Sequence, residues 1–288
     1  MRTSEAQPVV AGIDGSRTHP VTVDLAADQA ARRGAPLLLL HVWPGRYTGR
    51  FRCRGPVPAE ADARRLLDAA ARRARQRAPW LSVGTELRTG SPAGVLTELS
   101  ETAALVVAGR RDDGPGRPGW GSTAAYLARH NRSPLLVQRG GGHRNGPVVL
   151  VVPGPDEPAA PVRRAFEEAS ITGSRLVAVH VWRPGEEPAR ARRYLVEVLA
   201  GWAGRYPRVE VEPLAIPEPE VAYTLDRASR RGRLLIAGIR QRGHLGDLLL
   251  GTAGSGTPTG LSPVLMIPPG TLSKVSLRTG IAGRWSGP

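Results

Sequence analysis

Short apolar runs recur along the chain, separated by longer segments in which apolar residues return every three or four positions. Runs such as PLLLLHV (36–42) and ALVVAG (104–109) carry almost no polar interruption. That pattern suits strands covered on both faces. In the first half it predicts strands over 8–13, 36–43, 82–88, 104–108 and 134–138. Between them it predicts helices over about 20–33, 59–78, 92–101 and 122–131. The helix over 59–78 puts Leu66, Leu67, Ala70, Ala71 and Ala74 on one stripe and most of its arginines outside it, as a surface helix requires. Regular alternation of strand and helix gives a parallel sheet with helices on both sides. The expected class is α/β, with five strands in a flavodoxin-like (Rossmann-type) order. Ligands in such sheets bind beyond the carboxyl ends of the strands, where the strand order reverses. Asp14, Val42 and Gly109 all fall at strand ends and are therefore expected to share one crevice.

The pattern occurs twice. GAPLLLLHVWPG from Gly34 matches GSRLVAVHVWRPG from Gly173. Asp14-Gly15 precedes His41 by the same distance that Pro153-Gly154 precedes His180. Further on, LVVAGRR at Leu105 parallels LLIAGIR at Leu234, and SPLLVQ at Ser133 parallels SPVLMI at Ser262. The chain therefore reads as a tandem duplication, with one copy over 1–140 and the other over 146–270. RGGGHRNGP between them reads as a flexible linker. Residues 271–288 lack apolar periodicity and read as a loose tail. The apolar last strands, PLLVQ and PVLMI, need cover and are expected to pair with each other.

Composition narrows the function classes. No apolar run approaches the roughly 20 residues of a membrane span, and MRTSEAQPVVAGIDGS lacks a signal-peptide core, so a cytoplasmic protein is expected. One cysteine, Cys53, forms neither an internal disulfide nor a metal cluster. The formal charge of +15 suggests nucleic acid, but the arginines scatter over several predicted helices and no aromatic-basic motif accompanies them. Specific nucleic-acid binding is not expected, and no metal site is assigned.

The motifs point to a nucleotide. Lys274 has no Walker A glycines before it. GPGRPG, with Gly114, Gly116 and Gly119, matches G-x-G-x-x-G only formally, because prolines interrupt it and it opens no helix. GIRQRGHLGDLLLGT, from Gly238 to Thr252, is different: after Gly238 come two residues, Gln241, nine residues and then Gly251-Thr252. Glycine lets a backbone approach a phosphate closely, and a hydroxyl with free N–H groups at a helix start can bind its oxygens. Arg240 and Arg242 could add charge-assisted bonds.

This loop resembles the ATP-binding signature of the universal stress protein family, G-2x-G-9x-G-(S/T). The Asp14–Ser16 opening, the His-Val strand ends and the final Ser-Pro strands extend the resemblance over nearly the whole chain. It implies a flavodoxin-like fold, tandem domains pairing through their last strands, a possible homodimer, a stress-linked role and, in one subgroup, ATP. The nucleotide-binding residues it implies in the first copy are Asp14, Gly15, Ser16, Val42, Gly109, Arg111, Gly121 and Ser122. In the second copy they are Val181, Gly238, Arg240, Gly243, Gly251 and Thr252.

Each copy departs from the pattern. The second has Gln241 for the middle glycine, Pro153 for the family's aspartate, and the Gly- and Pro-rich AGSGTPTGL after Thr252. The first keeps Asp14 and a sound helix after Gly121-Ser122, but its loop is one residue short and carries Asp112 and Asp113. Loop charge thus favours the second copy for a triphosphate. Other readings stay open: Asp14 as a turn residue, His41 and His180 as packing residues, and Ser122 and Thr252 as helix caps. At the level of function, a binding or regulatory module stands beside a ligand-free scaffold acting by protein contact. A nucleotide hydrolase ranks last, for want of a carboxylate cluster and an evident base.

Overall fold

A computed structural model describes residues 6–43, 59–109, 121–139, 143, 145–182, 184–239 and 262–269. The first half contains β1 (Val9–Gly12), α1 (His19–Arg33), β2 (Leu37–Trp43), α2 (Glu60–Arg77), β3 (Val83–Thr89), α3 (Pro92–Leu99), β4 (Leu105–Gly109), α4 (Gly121–His130) and β5 (Leu135–Gln138). The second contains β6 (Val148–Val151), α5 (Ala160–Thr172), β7 (Leu176–Trp182), α6 (Pro188–Ala203), β8 (Val211–Pro217), α7 (Val221–Arg231), β9 (Leu234–Gly238) and β10 (Val264–Ile267). Each element expected in the first half is present, with bounds shifted by a residue or two. Gly34 and Gly173 end α1 and α5 in the left-handed conformation, at φ 59° and 61°. A residue without Cβ adopts it at little cost, which is why the two repeats turn into β2 and β7 alike.

The strands form one sheet in the order β3-β2-β1-β4-β5-β10-β9-β6-β7-β8. Every pairing is parallel except β5 with β10, where Val137 faces Val264 and Leu135 faces Met266. The last strands thus cover each other within the chain, which satisfies edges that would otherwise template association. Each half is a doubly wound sheet of order 3-2-1-4-5, the Rossmann-type order, which reverses between its first and fourth strands. Because β5 and β10 run antiparallel, the carboxyl edge of one half is the amino edge of the other.

The register repeats as well. Val9 faces Leu37 and Leu105, and Val148 faces Leu176 and Leu234. His41 and His180 are each the fifth residue of their strands. Side chains alternate between two cores, as strand geometry demands. Val9, Ala11, Leu37, Leu39, Val148 and Leu150 face α1, α2, α5 and α6. Val10, Leu40, Val106, Val149 and Leu235 face α3, α4 and α7. Both cores run through both halves. The outer strands carry polar or proline positions, Glu86 and Arg88 on β3 and Pro213 on β8, which blunt the edges.

The connection between the halves is tied down at its far end, where a flexible linker was expected. The Gly146 N–H donates to the His143 carbonyl at 2.9 Å, and the His143 N–H donates to the Gly232 carbonyl at 3.1 Å. A Cβ on Gly146 would lie 2.2 Å from the Arg231 carbonyl oxygen, so only glycine fits this approach. The expected tail lies outside the described residues. Many arginines pair with carboxylates on helix surfaces, Arg73 with Asp24 and Arg77 with Asp28 between α1 and α2, and Arg230 with Asp226 on α7. No helix among the described residues is long and apolar enough to cross a membrane.

Candidate functional site

In the first half the order reverses between β1 and β4, so β1, β2 and β4 end side by side. The Ile13 N–H donates to the Leu40 carbonyl at 2.8 Å, which carries β1 one step past its last ladder residue and sets Asp14 beside Val42. His41 Nδ1 donates to the Ile13 carbonyl at 2.6 Å and fixes that end. The chain then turns at Gly15, φ 74°, with the Ser16 N–H donating to Asp14 Oδ1 at 3.0 Å. This Asx turn orients the carboxylate, which stays exposed. His19 Nδ1 donates to the Ser16 carbonyl at 2.6 Å and the Ser16 and Thr18 hydroxyls are 3.1 Å apart, so the segment entering α1 is polar and well tied. Across the crevice, a Cβ on Gly109 would lie 2.8 Å from Thr22 Oγ1 of α1. Here glycine admits close packing of helix on strand.

The same positions in the second half carry other chemistry. Pro153 replaces Asp14 and is buried. Pro161 replaces Thr22, with its Cγ 3.6 Å from where a Cβ on Gly238 would sit. Tyr194 of α6 occupies the place that Leu66 holds on α2, counting back from the following strand. Its hydroxyl donates to the Pro153 carbonyl at 2.8 Å, and its ring lies 4.9 Å from that of His180. His180 is 5% exposed, and its Nδ1 has no hydrogen-bond partner among the described residues. Burial holds this imidazole below its ordinary range, against the opposing pull of Glu186. The cavity bounded by Pro153, Glu157, Pro161, Gly238 and Pro268 is about 20 Å³, room for roughly one water.

Two predictions arise from these geometries. Gly109→Ala is expected to destabilise the protein by about 1–3 kcal/mol, as overpacking does, because Thr22 must move. Gly238→Ala meets only ordinary contact and is expected to cost about 0.5 kcal/mol or less. Urea unfolding of the pair checks this, and equal losses would refute it. The second prediction concerns pH. The unfolded chain protonates its histidines near pH 6.5, and buried His180 does so only at lower pH. As pH falls from about 7 through that window, the unfolded state takes up a proton that the folded state refuses, so stability falls. The contribution is fully present above the unfolded value and stays below the about 1.4 kcal/mol per pH unit of a single proton. His180→Leu should flatten the acid limb of stability against pH, and an unchanged slope would refute the assignment.

The universal stress protein family's sequence model matches residues 5–139. A universal stress protein of Mycolicibacterium smegmatis is 31% identical, over 91% of this chain and 97% of its own length. The chain belongs to the universal stress protein family. A Mycobacterium tuberculosis universal stress protein is 30% identical over 85% of this chain and 91% of its own. The crystal structure of a universal stress protein from Archaeoglobus fulgidus covers 92% of the chain and 97% of its own with a TM-score of 0.68, at 16% identity, a likeness of fold.

Of the nucleotide-binding residues expected from the sequence, the structure brings Asp14, Gly15, Ser16, Val42 and Gly109 together at one edge of the sheet, and Val181 and Gly238 at the other. Gly121 and Ser122 open α4, as expected. Arg111, Arg240, Gly243, Gly251 and Thr252 lie outside the described residues. Thr22, Pro161 and Tyr194 escaped the motif reading because they sit on helices outside the family signature. Aligning the two copies position by position, Thr22 with Pro161 and Leu66 with Tyr194, is the signal that finds them. Among the described residues, no three His, Cys, Asp or Glu side chains converge on a point where a metal could sit.

Proposed function

We propose that this universal stress protein is a binding and regulatory module, not a catalyst, that takes up an adenine nucleotide, ATP, in the first half. The observation that carries the proposal is the exposed, turn-held Asp14 carboxylate at the end of β1, beside Val42 and across from Gly109. A carboxylate there accepts hydrogen bonds from nucleoside hydroxyls or amine, and Val42 offers the base an apolar edge. The N-terminus of α4 begins at Gly121-Ser122, and the free backbone N–H groups of a helix start favour phosphate. Loop charge alone favours the second half. A like-charge contact near a surface costs about 4 kcal/mol before screening, which weakens a site without closing it. Burial of the second strand end, where Tyr194 takes the Pro153 carbonyl, is weighed above loop charge, and the first half is preferred.

Calorimetric titration with ATP tests this. Asp14→Ala removes a charge-assisted acceptor worth about 1.5–3 kcal/mol and should weaken binding roughly tenfold to a hundredfold, with the fold unchanged by circular dichroism. Unchanged affinity would reject the site. No heat and no displacement of a fluorescent nucleotide by ATP would favour the ligand-free scaffold. That second reading draws on the small, proline-lined cavity at the strand ends of the second half.

A further inference from the structure

We propose that Tyr194, with Pro161, closes the second crevice to nucleotide, so that the chain holds one nucleotide and its second half serves as the structural partner of the first. The inference rests on the reading of the first half as the nucleotide site and goes beyond it to stoichiometry and to the residues that set it.

Three independent observations converge. The position after β1 is exposed as Asp14, while the same position after β6 is buried as Pro153. The burial comes from α6: Tyr194 reaches the strand end, its hydroxyl takes the Pro153 carbonyl, and its ring covers His180. On α2 the matching side chain, Leu66, has no hydroxyl and packs 3.3 Å from the Cβ position of Gly15, leaving Asp14 in solvent. Second, Pro161 stands on α5 where Thr22 stands on α1, so an apolar ring faces Gly238 where a hydroxyl faces Gly109. Thr22 packs the closer, at 2.8 Å against 3.6 Å from the Cβ position, so Pro161 removes a polar partner and it is Tyr194 that takes the space. The cavity between these described residues is about 20 Å³, room for roughly one water. Third, the rim is acidic. Glu157 lines the cavity and accepts from the Gly154 N–H at 3.1 Å, so a carboxylate stands at the strand end and repels an anion there. Burial together with Glu157 and Asp156 also pushes the Tyr194 hydroxyl above its ordinary range, which keeps it protonated and donating.

The experiment is ATP titration of the full chain by calorimetry and native mass spectrometry, for wild type and for Tyr194→Leu/Pro161→Thr/Pro153→Asp. The expected result is one nucleotide per wild-type chain and two per variant chain. Two nucleotides on the wild type would overturn the closure, and so would a folded variant that gains none. A wild type without nucleotide beside a variant with one would sink the proposed first-half site while supporting the closure. Should the triple variant fail to fold, the imidazole resonances of the wild type decide. ATP should move His41 and leave His180 unmoved, and a shift of His180, or of both alike, would overturn the proposal.

Discussion

Phe166→Ala is expected to cost about 3–5 kcal/mol of stability, the range for removing a fully buried phenyl ring. Phe166 is fully buried between α5 and the sheet, with Tyr206 centred 5.7 Å away and Trp202 6.5 Å away. These rings hold α6 off α5 and fill the space between the two helices. Counted from the following strands, the matching positions in the first half are Ala27, Ala74 and Ala78, all buried. There the helices approach closely instead and bridge at their surface through Arg73–Asp24 and Arg77–Asp28. Neither solution transplants. Removing Phe166 leaves a cavity that Trp202 and Tyr206 cannot collapse into, and Ala27→Phe forces a ring into a gap sized for alanine. Urea unfolding measures both variants, and a loss under about 1 kcal/mol for Phe166→Ala would show that this core repacks freely. Because one apolar core runs through both halves, a single transition is expected.

Glu168→Ala is expected to cost about 3 kcal/mol, the lower end of the range for breaking a buried ion pair. Glu168 is 3% exposed and lies where the halves meet. It accepts from Arg164 of its own helix and stands 3.5 Å from Arg33 at the end of α1. Arg33 also donates to the carbonyl of buried Gln29, at 3.0 Å, and to its side-chain oxygen. Burial and then the neighbouring Arg164 pull the Arg33 guanidinium down to about 9, against the opposing pull of Glu168. It therefore stays charged at neutral pH, and losing Glu168 leaves Arg33 without its carboxylate while Arg164 keeps only Glu167, at 3.2 Å. The lower end applies because both arginines keep some water contact, at 18% and 22% exposure. The double variant Arg33→Met/Glu168→Leu removes both charges, and apolar replacement of a buried pair is often neutral or stabilising. Recovery of most of the loss in the double variant is the decisive outcome, and additive losses would refute the pairing.

The family resemblance and the physical patterns agreed because they rest on the same residues. Apolar runs sandwiched between helices can only be covered strands, and repeated spacing from Asp14 to His41 and from Pro153 to His180 makes repeated βαβ units. The burial alternation of the first half follows from those runs alone. His41 shows where such reading stops. Sequence places it at a strand end, but its bond to the Ile13 carbonyl depends on the register of β1 against β2.

Sequence by itself determined the class of fold, the duplication and the shared strand-end position of Asp14, Val42 and Gly109, and with the family resemblance it pointed to the pairing of the last strands. Local periodicity and repeat spacing encode the first three, and the cover that apolar last strands need, together with the family resemblance, implies the pairing. Only the tertiary structure decided that the two crevices differ in kind. Leu66 and Tyr194 lie far along the chain from Asp14 and Pro153, and nothing local says which strand-end residue a helix side chain meets, Gly15 for Leu66 and the Pro153 carbonyl for Tyr194. That depends on helix packing over the sheet, where a hydroxyl and one aromatic ring turn an exposed strand end into a buried one.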